Sequence, residues 1–244
     1  MLIGLILYLY NGKVRFISIL LILFLSYTSI FISGERTAIV LTLLSSLLMF
    51  VFLSEIRKMI FMASLFFGMC LIYIFNFYEN VFIRVFTKTI NSMNLNNIEK
   101  INIFTPHHES IYSNAYFMFK DNIIFGVGPK LFRESCSKYD YACSTHPHNY
   151  YLQFLSELGI VGFSFLFIGI SHIFWLFFKS IKNRSIIDVK LYNLMICCLT
   201  CFIINLVPFV PSGNFFNNWL SIIFFLPLAF VYNLNLKISS MKNV

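Results

Sequence analysis

The sequence predicts an all-α protein, a polytopic bundle of transmembrane helices with one large external loop. Of its 244 residues, 59% are hydrophobic and only 11% are charged, a composition far outside the range of soluble domains. Several apolar runs also reach the roughly 17–25 residues that a helix needs to cross a hydrocarbon layer of about 30 Å. These two observations describe an integral membrane protein, and we expect residues 1–244 to form a single membrane domain.

Six full spans and one partial helix account for the apolar runs. The opening MLIGLILYLY ends at Asn11 without a preceding basic residue, so it lacks the pattern of a signal peptide. We expect it to be the end of a helix whose beginning is missing. The full spans are predicted at 16–32, 38–53, 59–78, 158–178, 190–207 and 219–234.

Charges in the connections predict the orientation of the spans. Basic residues gather in alternate connections, near 13–15, 57–58, 179–190 and 237–242, and such loops are held on the cytoplasmic side. Charges cancel in the three other connections, which are 33–37, 79–157 and 208–218, so we place these outside and both termini inside. The net charge of +8 is spread over juxtamembrane loops, which disfavours nucleic-acid binding.

The large external loop, 79–157, is predicted to contain an amphipathic helix. An Asn-rich stretch at 91–102 is typical of solvated loop, and a helix is predicted over 107–122. Its apolar positions repeat with helical spacing, and we expect this amphipathic helix to lie on or near the membrane surface. They are Ile111, Ala115, Met118 and Phe119. Gly126 and Gly128, followed by Pro129, end the helix.

Two of the six cysteines lie in the external loop. Cys136 and Cys143, separated by six residues, are predicted to form a disulfide, because exported loops are in an oxidising compartment. The remaining cysteines lie in apolar spans, where a free thiol behaves as a small hydrophobe. A metal site at the loop histidines is the less favoured alternative, because no tight CxxC or HxxxH spacing is present.

Polar chemistry is confined to the outer boundary, since the spans contain essentially no charged residues. This argues against an ion-coupled or proton-coupled transporter. Arg36 lies in a tight turn at the depth of lipid phosphates, although it can also be an interfacial arginine paired with Glu35. His148 has an ordinary pKa of about 6.5 and suits proton transfer from an alcohol; a loop histidine followed by Asn149 as a simple helix cap is the alternative.

Two further cations follow the GVGP turn in the external loop. Lys130 and Arg133 are predicted to approach a phosphate, although they can equally be solvated. The external connections contain no DxD motif or paired carboxylates that would hold a divalent cation, so no metal is predicted. We therefore expect Arg36 and His148 to face one external cavity that handles a phosphate and an alcohol together.

Three blocks of the sequence resemble the O-antigen ligase and O-antigen polymerase superfamily of bacterial envelope glycosyltransferases. They occur in the expected order and read SGERTA, MFKDNIIFGVGPKLFR and HPHNYYLQFLSELGIVGF. The last block is the most specific, with His148-Asn149, nine residues, and then Gly159-Ile-Val-Gly162. Phe163 stands where ligases often carry threonine, which favours a polymerase over a ligase.

The resemblance implies transfer of a glycan from an undecaprenyl-diphosphate carrier to a sugar hydroxyl, without nucleotide sugar, cofactor or metal. The acceptor is the lipid A core for a ligase and another lipid-linked glycan for a polymerase. It also implies a multi-pass protein of the bacterial inner membrane with a periplasmic active face. Membrane lipids and a chain-length regulator are the expected partners.

Residue roles follow by position in the resembling blocks. His148 would activate the acceptor hydroxyl and Arg36 would grip the diphosphate. The set expected to assist in substrate binding is Lys130, Arg133, His108 and Asn149. Where the family often has another arginine, this chain reads TPHHES, so His107, His108, Arg84 or Arg133 would substitute. The alternatives to a transferase are a flippase for lipid-linked sugars and a non-catalytic scaffold.

Overall fold

A computed structural model describes residues 1–77, 83–87, 104–208 and 210–242. Within these ranges every regular element is a helix, which agrees with the predicted class. The Asn-rich stretch at 91–102 lies outside the described residues, as does most of the predicted loop before residue 104. Of the candidate Arg84, only the backbone is described.

Nine α-helices make up the described chain. They are α1 (Leu2–Leu9), α2 (Gly12–Ser33), α3 (Arg36–Phe52), α4 (Arg57–Phe77), α5 (Pro106–Asp121), α6 (Phe132–Ser135), α7 (Tyr150–Lys182), α8 (Val189–Asn205) and α9 (Asn218–Lys242). Single turns of 3₁₀-helix occupy Ser54–Ile56 and Cys136–Lys138, and a π-helical turn occupies Ile83–Thr87.

Four helical stretches are long and apolar enough to cross a membrane. They are Gly12–Ser33, Ser54–Tyr73, Tyr150–Lys182 and Asn218–Ile238. The apolar helices α3 and α8, with 17 residues each, coincide with the two other predicted spans. The protein is therefore an all-helical membrane protein with four candidate spans, and the full count of six stays a prediction.

The chain divides into two compact units. The first contains residues 1–87, 174–205 and 224–244, and the second contains 88–173 and 206–223. In the first unit, α8 is buried without interruption from Leu191 to Thr200, as expected for a helix that is surrounded by others. A Cβ added at Gly4 of α1 would lie 2.7 Å from the Cβ of Cys197, so the glycine permits close packing of α1 on α8.

The second unit has its own small core beneath α5. The apolar face of α5 is buried there by Ile111, Ala115 and Met118, which pack with Phe132 and Cys136. The predicted helix over 107–122 is confirmed to within one residue at each end. Ile111, Ala115 and Met118 are covered by protein, and the location of the helix on or near the membrane surface stays a prediction.

A disulfide closes the loop that packs on α5. Cys136 and Cys143 are bonded, with Cα atoms 5.5 Å apart. The buried amide of Asn114 in α5 donates to the carbonyls of Cys136 and Ala142 at 3.0 and 3.3 Å. The disulfide therefore closes the loop on itself, and hydrogen bonds from Asn114 hold the closed loop against α5 within one unit.

The helix α7 is broken near its beginning. Gly159 has φ 64° and ψ −163°, a conformation that is essentially restricted to glycine. The sequence predicts an uninterrupted helical entry into a span at 158–178, and this expectation is wrong at Gly159. The cause is tertiary, because backbone from residues 123–128 occupies the break.

Candidate active site

The site begins at the capped N-terminus of α7. The Asn149 side chain accepts a hydrogen bond from the backbone N–H of Leu152 at 3.1 Å, as an N-cap residue does. Its amide also donates to the carbonyl of Pro208 at 2.7 Å, and the residue is buried. In the structure Asn149 therefore starts the helix and attaches the segment that follows α8.

His148 precedes this cap in a strained backbone conformation. Its φ of 55° lies in the left-handed region, which residues other than glycine seldom adopt. The carbonyl of His148 accepts from the backbone N–H of Ser212 at 2.8 Å. Strain of this kind persists where surrounding contacts over-determine the backbone, and it is common at functional sites.

Three histidine rings meet at this point. The ring centroid of His148 lies 4.1 Å from that of His146 and 5.5 Å from that of His108. His146 Nε2 donates to the carbonyl of Ser212 at 3.3 Å. We call His108, His146 and His148 the histidine cluster. In the part of the chain that the structure describes, no group of three or more His, Cys, Asp or Glu is arranged to hold a metal ion.

Hydroxyl groups orient two of the rings. Ser144 Oγ lies 3.0 Å from His148 Nε2, and Thr105 Oγ1 lies 2.7 Å from His108 Nδ1. The proton on a histidine ring is fixed by the partner of the other nitrogen. When Nε2 of His148 carries the ring proton and donates a hydrogen bond to Ser144 Oγ, Nδ1 is unprotonated and has a lone pair that can accept a proton.

Burial lowers the pKa of two histidines in the cluster, His146 and His148. It lowers the pKa of His148 below the ordinary 6.5, and the neighbouring charges of His146 and His107 lower it further. Burial also lowers the pKa of His146, although the hydrogen bond to Ser212 partly opposes this. A half-buried, neutral imidazole is the form that can accept a proton near neutral pH.

Two buried hydroxyls beside the cluster have no hydrogen-bond partner among the residues that the structure describes. They belong to Tyr112 and Ser212. The Tyr112 ring centroid is 6.1 Å from that of His108, and burial raises the pKa of Tyr112 to about 12. Because an unsatisfied buried hydroxyl costs about 1–3 kcal/mol, both groups are suited to a partner that brings its own hydrogen-bonding atoms.

The GVGP turn packs directly on α7. The backbone N–H groups of Val127 and Gly128 donate to the carbonyls of Ser156 and Glu157 at 3.0 and 2.8 Å. A Cβ added at Gly126 would overlap the carbonyl group of Glu157. The glycines in this turn therefore permit close approach of one backbone to another within the protein.

The backbone N–H groups that follow this turn donate hydrogen bonds to a buried carboxyl group. Glu157 is fully buried and accepts from the backbone N–H groups of Lys130 and Phe132 at 3.1 and 3.2 Å. Burial raises the pKa of Glu157, which hydrogen bonds from these N–H groups and from Gln153 oppose. A side chain of the protein thus already occupies the N–H groups beside the two cations that the sequence predicts to approach a phosphate. The side chains of Lys130 and Arg133 are exposed, and their role in substrate binding stays a prediction.

Gln153 extends this polar contact to the segment after α8. Its amide donates to Glu157 at 3.2 Å and to Asn214 Oδ1 at 2.8 Å, and its oxygen accepts from the N–H of Phe215 at 3.0 Å. Sequence reasoning missed Gln153, Glu157, Ser212 and Asn214. Glu157 had a detectable signal, because it is the one acidic residue of the apolar stretch from 150 to 182.

Arg36 occupies the first position of α3, after Gly34 has ended α2 in a left-handed conformation. The end of α2 and the beginning of α3 contribute Phe31 and Ile39 to an apolar cavity of 260 Å³. Tyr27 and Ser46, joined by a hydroxyl contact of 2.8 Å, also line it. Arg36 lies in the first unit and the histidine cluster in the second, so their common cavity stays a prediction.

Comparison with known proteins gives one match. The family described as O-Antigen ligase matches residues 19–167, which include the Arg36 turn, the GVGP turn and the histidine cluster. No curated protein and no solved structure gives a match.

Proposed function

The chain belongs to the O-antigen ligase family, and from this premise we propose that it is a membrane glycosyltransferase of surface polysaccharide assembly. The donor in this proposal is a glycan on undecaprenyl diphosphate, and the acceptor is a sugar hydroxyl. Phe163, where ligases often carry threonine, favours a polymerase that uses a second lipid-linked glycan as acceptor. The ligase reaction, with lipid A core as acceptor, is the alternative.

The observation that carries the proposal is the state of His148. The side chain is half-buried and kept neutral, its backbone is held in a strained conformation, and Ser144 contacts one ring nitrogen. A general base needs a free lone pair at neutral pH and a fixed orientation. The lowered pKa of His148 leaves it a lone pair at neutral pH. Its contacts with Ser144 and Ser212 fix its orientation.

The proposed reaction is a single displacement. Nε2–H of His148 donates a hydrogen bond to Ser144 Oγ and keeps its proton, and the unprotonated Nδ1 takes the proton of the acceptor hydroxyl. The acceptor oxygen forms a bond to the anomeric carbon of the donor while the bond from that carbon to the diphosphate oxygen breaks. Undecaprenyl diphosphate leaves with the electron pair, and the proton remains on His148 until it passes to solvent.

Cationic side chains would stabilise the leaving group in this proposal. Negative charge grows on the diphosphate in the transition state, where fixed cations are most effective. Arg36 is assigned to the diphosphate, with Lys130 and Arg133 as assisting cations and no metal. The apolar cavity lined by Phe31 and Ile39 suits the hydrocarbon part of a lipid donor, because it begins beside the Arg36 turn.

The same proposal includes the location of the protein. The basic connections place both termini in the cytoplasm and the histidine cluster on the periplasmic face of a bacterial inner membrane. Six spans, of which α3 and α8 are the shortest, satisfy this orientation at every connection. A chain-length regulator is the expected protein partner of a polymerase.

Substitution of His148 tests the proposal. His148→Gln should reduce transfer from a lipid-linked glycan donor by about 10²–10⁴-fold, because this is the usual contribution of a general base. The measurement is product formation by the purified protein in lipid, together with restoration of surface polysaccharide in a strain that lacks its own enzyme. His172→Gln, in the spanning part of α7, is the matched control and should retain activity. Wild-type activity of the His148 variant would remove the catalytic assignment.

Lipopolysaccharide banding separates the two possible acceptors. A gene-disrupted strain that attaches a single repeat unit to core lacks a polymerase, whereas loss of all O-chain indicates that a ligase is missing. We expect the single-repeat pattern.

A further inference from the structure

The turn after α5 presents apolar side chains outward. Ile123, Ile124 and Phe125 are consecutive and expose 52%, 59% and 72% of their surface. The turn is not helical, and residues 122–129 contain no charge, although Asp121 and Lys130 lie directly on either side. A contiguous apolar patch of this kind marks an interaction surface on most proteins.

The backbone of this turn caps both sides of the break in α7. The N–H groups of Ile160 and Val161 begin the second part of the helix and donate to the carbonyls of Ile123 and Ile124 at 2.8 and 3.3 Å. On the other side of Gly159, the carbonyls of Ser156 and Glu157 accept from Val127 and Gly128. Four groups that a helix break would leave unpaired are thus paired with the turn.

This pairing satisfies the backbone groups of α7 at the break, as irregular backbone inside a bilayer requires. Non-helical chain is tolerated at membrane depth only where its polar groups are satisfied by protein, because lipid chains offer no hydrogen bonds. An exposed loop in water would not require such pairing. A helix break whose backbone groups are paired with protein, together with exposed apolar side chains, therefore fits hydrocarbon surroundings better than solvent.

The patch is also continuous with a membrane-length helix. Ile160 and Val161, which are bonded to the turn, are themselves 50% and 38% exposed. The apolar exposure continues along the same helix at Phe165 and Ile168, with 72% and 63%. These residues belong to a stretch that is long and apolar enough to span.

We propose that Ile123, Ile124 and Phe125 insert into the acyl-chain region of the bilayer as a re-entrant turn that caps the broken helix α7. The occupant of the apolar patch is membrane lipid. The turn then anchors the second unit to the membrane by a contact distinct from the spanning helices. This inference does not depend on the proposed transferase activity.

Depth-dependent fluorescence quenching tests the insertion. The two native tryptophans, Trp175 and Trp219, are replaced by phenylalanine in the full chain, and Phe125→Trp supplies the single reporter. The protein is reconstituted in vesicles of phosphatidylethanolamine and phosphatidylglycerol that contain lipids brominated along the acyl chains. We expect emission shifted to shorter wavelength, strong quenching by the brominated lipids and weak quenching by aqueous iodide.

Tyr141→Trp in the same background is the matched control. Tyr141 is an exposed aromatic residue of the disulfide-closed loop. A tryptophan at this position should be quenched strongly by iodide and weakly by the brominated lipids. Equal iodide quenching at positions 125 and 141 would overturn the proposal. Protection of position 125 from both quenchers would also overturn it, because protein would then cover the patch. Ile124→Trp repeats the measurement if the Phe125 variant does not fold.

Discussion

Two turns of this protein each contain a glycine with positive φ, yet they are built in different ways. Gly34, with φ 66° and ψ 17°, ends α2, and its N–H donates to the carbonyl of Phe31 at 3.0 Å. Gly159, with φ 64° and ψ −163°, interrupts α7, and the surrounding backbone is paired with residues 123–128. The first turn is therefore local, whereas the second depends on distant chain.

This difference indicates where the protein is sensitive to change. A glycine that ends a helix requires only its own backbone conformation. The region from His146 to Val161 instead contacts α5, the GVGP turn and the segment 206–217. A single substitution there therefore disturbs several segments. We therefore expect substitutions in the second region to destabilise the protein more than substitutions in the first. The following variants test this order.

Gly159→Ala should have the largest effect on folding. The new Cβ would overlap the carbonyl of Ile124, and the backbone conformation is essentially restricted to glycine, so we expect a loss on the order of 3–5 kcal/mol. The measurements are the yield of monodisperse protein and its apparent melting temperature. Gly169→Ala in the same helix meets no atom within 4 Å and should be neutral. Equal yields and melting temperatures of the two variants would show that close packing of the turn 123–128 against the break at Gly159 does not stabilise the protein.

Glu157→Gln should have the next largest effect. A carboxylate accepts from both Lys130 and Phe132 through its two oxygens, whereas an amide has one acceptor oxygen, so one buried N–H loses its partner at a cost of about 1–3 kcal/mol. Thermal unfolding measures the loss. The exposed Glu134→Gln, in α6, is the matched control. A Glu157 variant as stable as this control would show that the two backbone bonds contribute little.

Gly34→Ala should cost less, because only local strain is added. A left-handed conformation costs residues other than glycine about 1–2 kcal/mol, and asparagine adopts it more readily. We therefore expect Gly34→Asn to be closer to wild type than Gly34→Ala in thermal unfolding. A destabilisation as large as that of Gly159→Ala would mean that the Arg36 turn also depends on distant contacts.

His107→Gln should produce the smallest change, a shift in pH dependence. The charge of His107 contributes to lowering the pKa of His148, so its removal should raise that pKa towards the ordinary 6.5. Activity requires neutral His148 and is lost as the pH falls through its pKa. The acid limb of the pH–rate profile should therefore move to higher pH. An unchanged limb would show that His107 does not influence the base.

Part of the candidate site could be predicted from the sequence. The pattern His148-Asn149 predicted a base followed by a helix cap, and the structure shows the cap through Leu152. The spacing of Ile111, Ala115 and Met118 predicted the buried face of α5, although what covers that face could not be predicted. Periodicity reports which side of a helix is apolar and gives no information about its partner.

Contacts between distant segments could not be predicted. His108 is 40 positions from His148, and Ser212 is 64 positions from it, so no local pattern relates them. The phosphate interpretation of GVGP illustrates the same limit, because glycine permits any close approach of backbone. Only the folded chain shows that the approaching group is α7 and that Glu157 occupies the neighbouring N–H groups.

The sequence by itself determined that this is a helical membrane protein with polar chemistry outside its spans, because hydrophobic length and composition decide membrane insertion locally. It also determined the family, through three short blocks of residues. The tertiary structure alone decided the break at Gly159, the meeting of the histidine rings and the burial of Glu157. These features depend on hydrogen bonds and packing between segments far apart in the chain, whose pairing is a property of the whole fold.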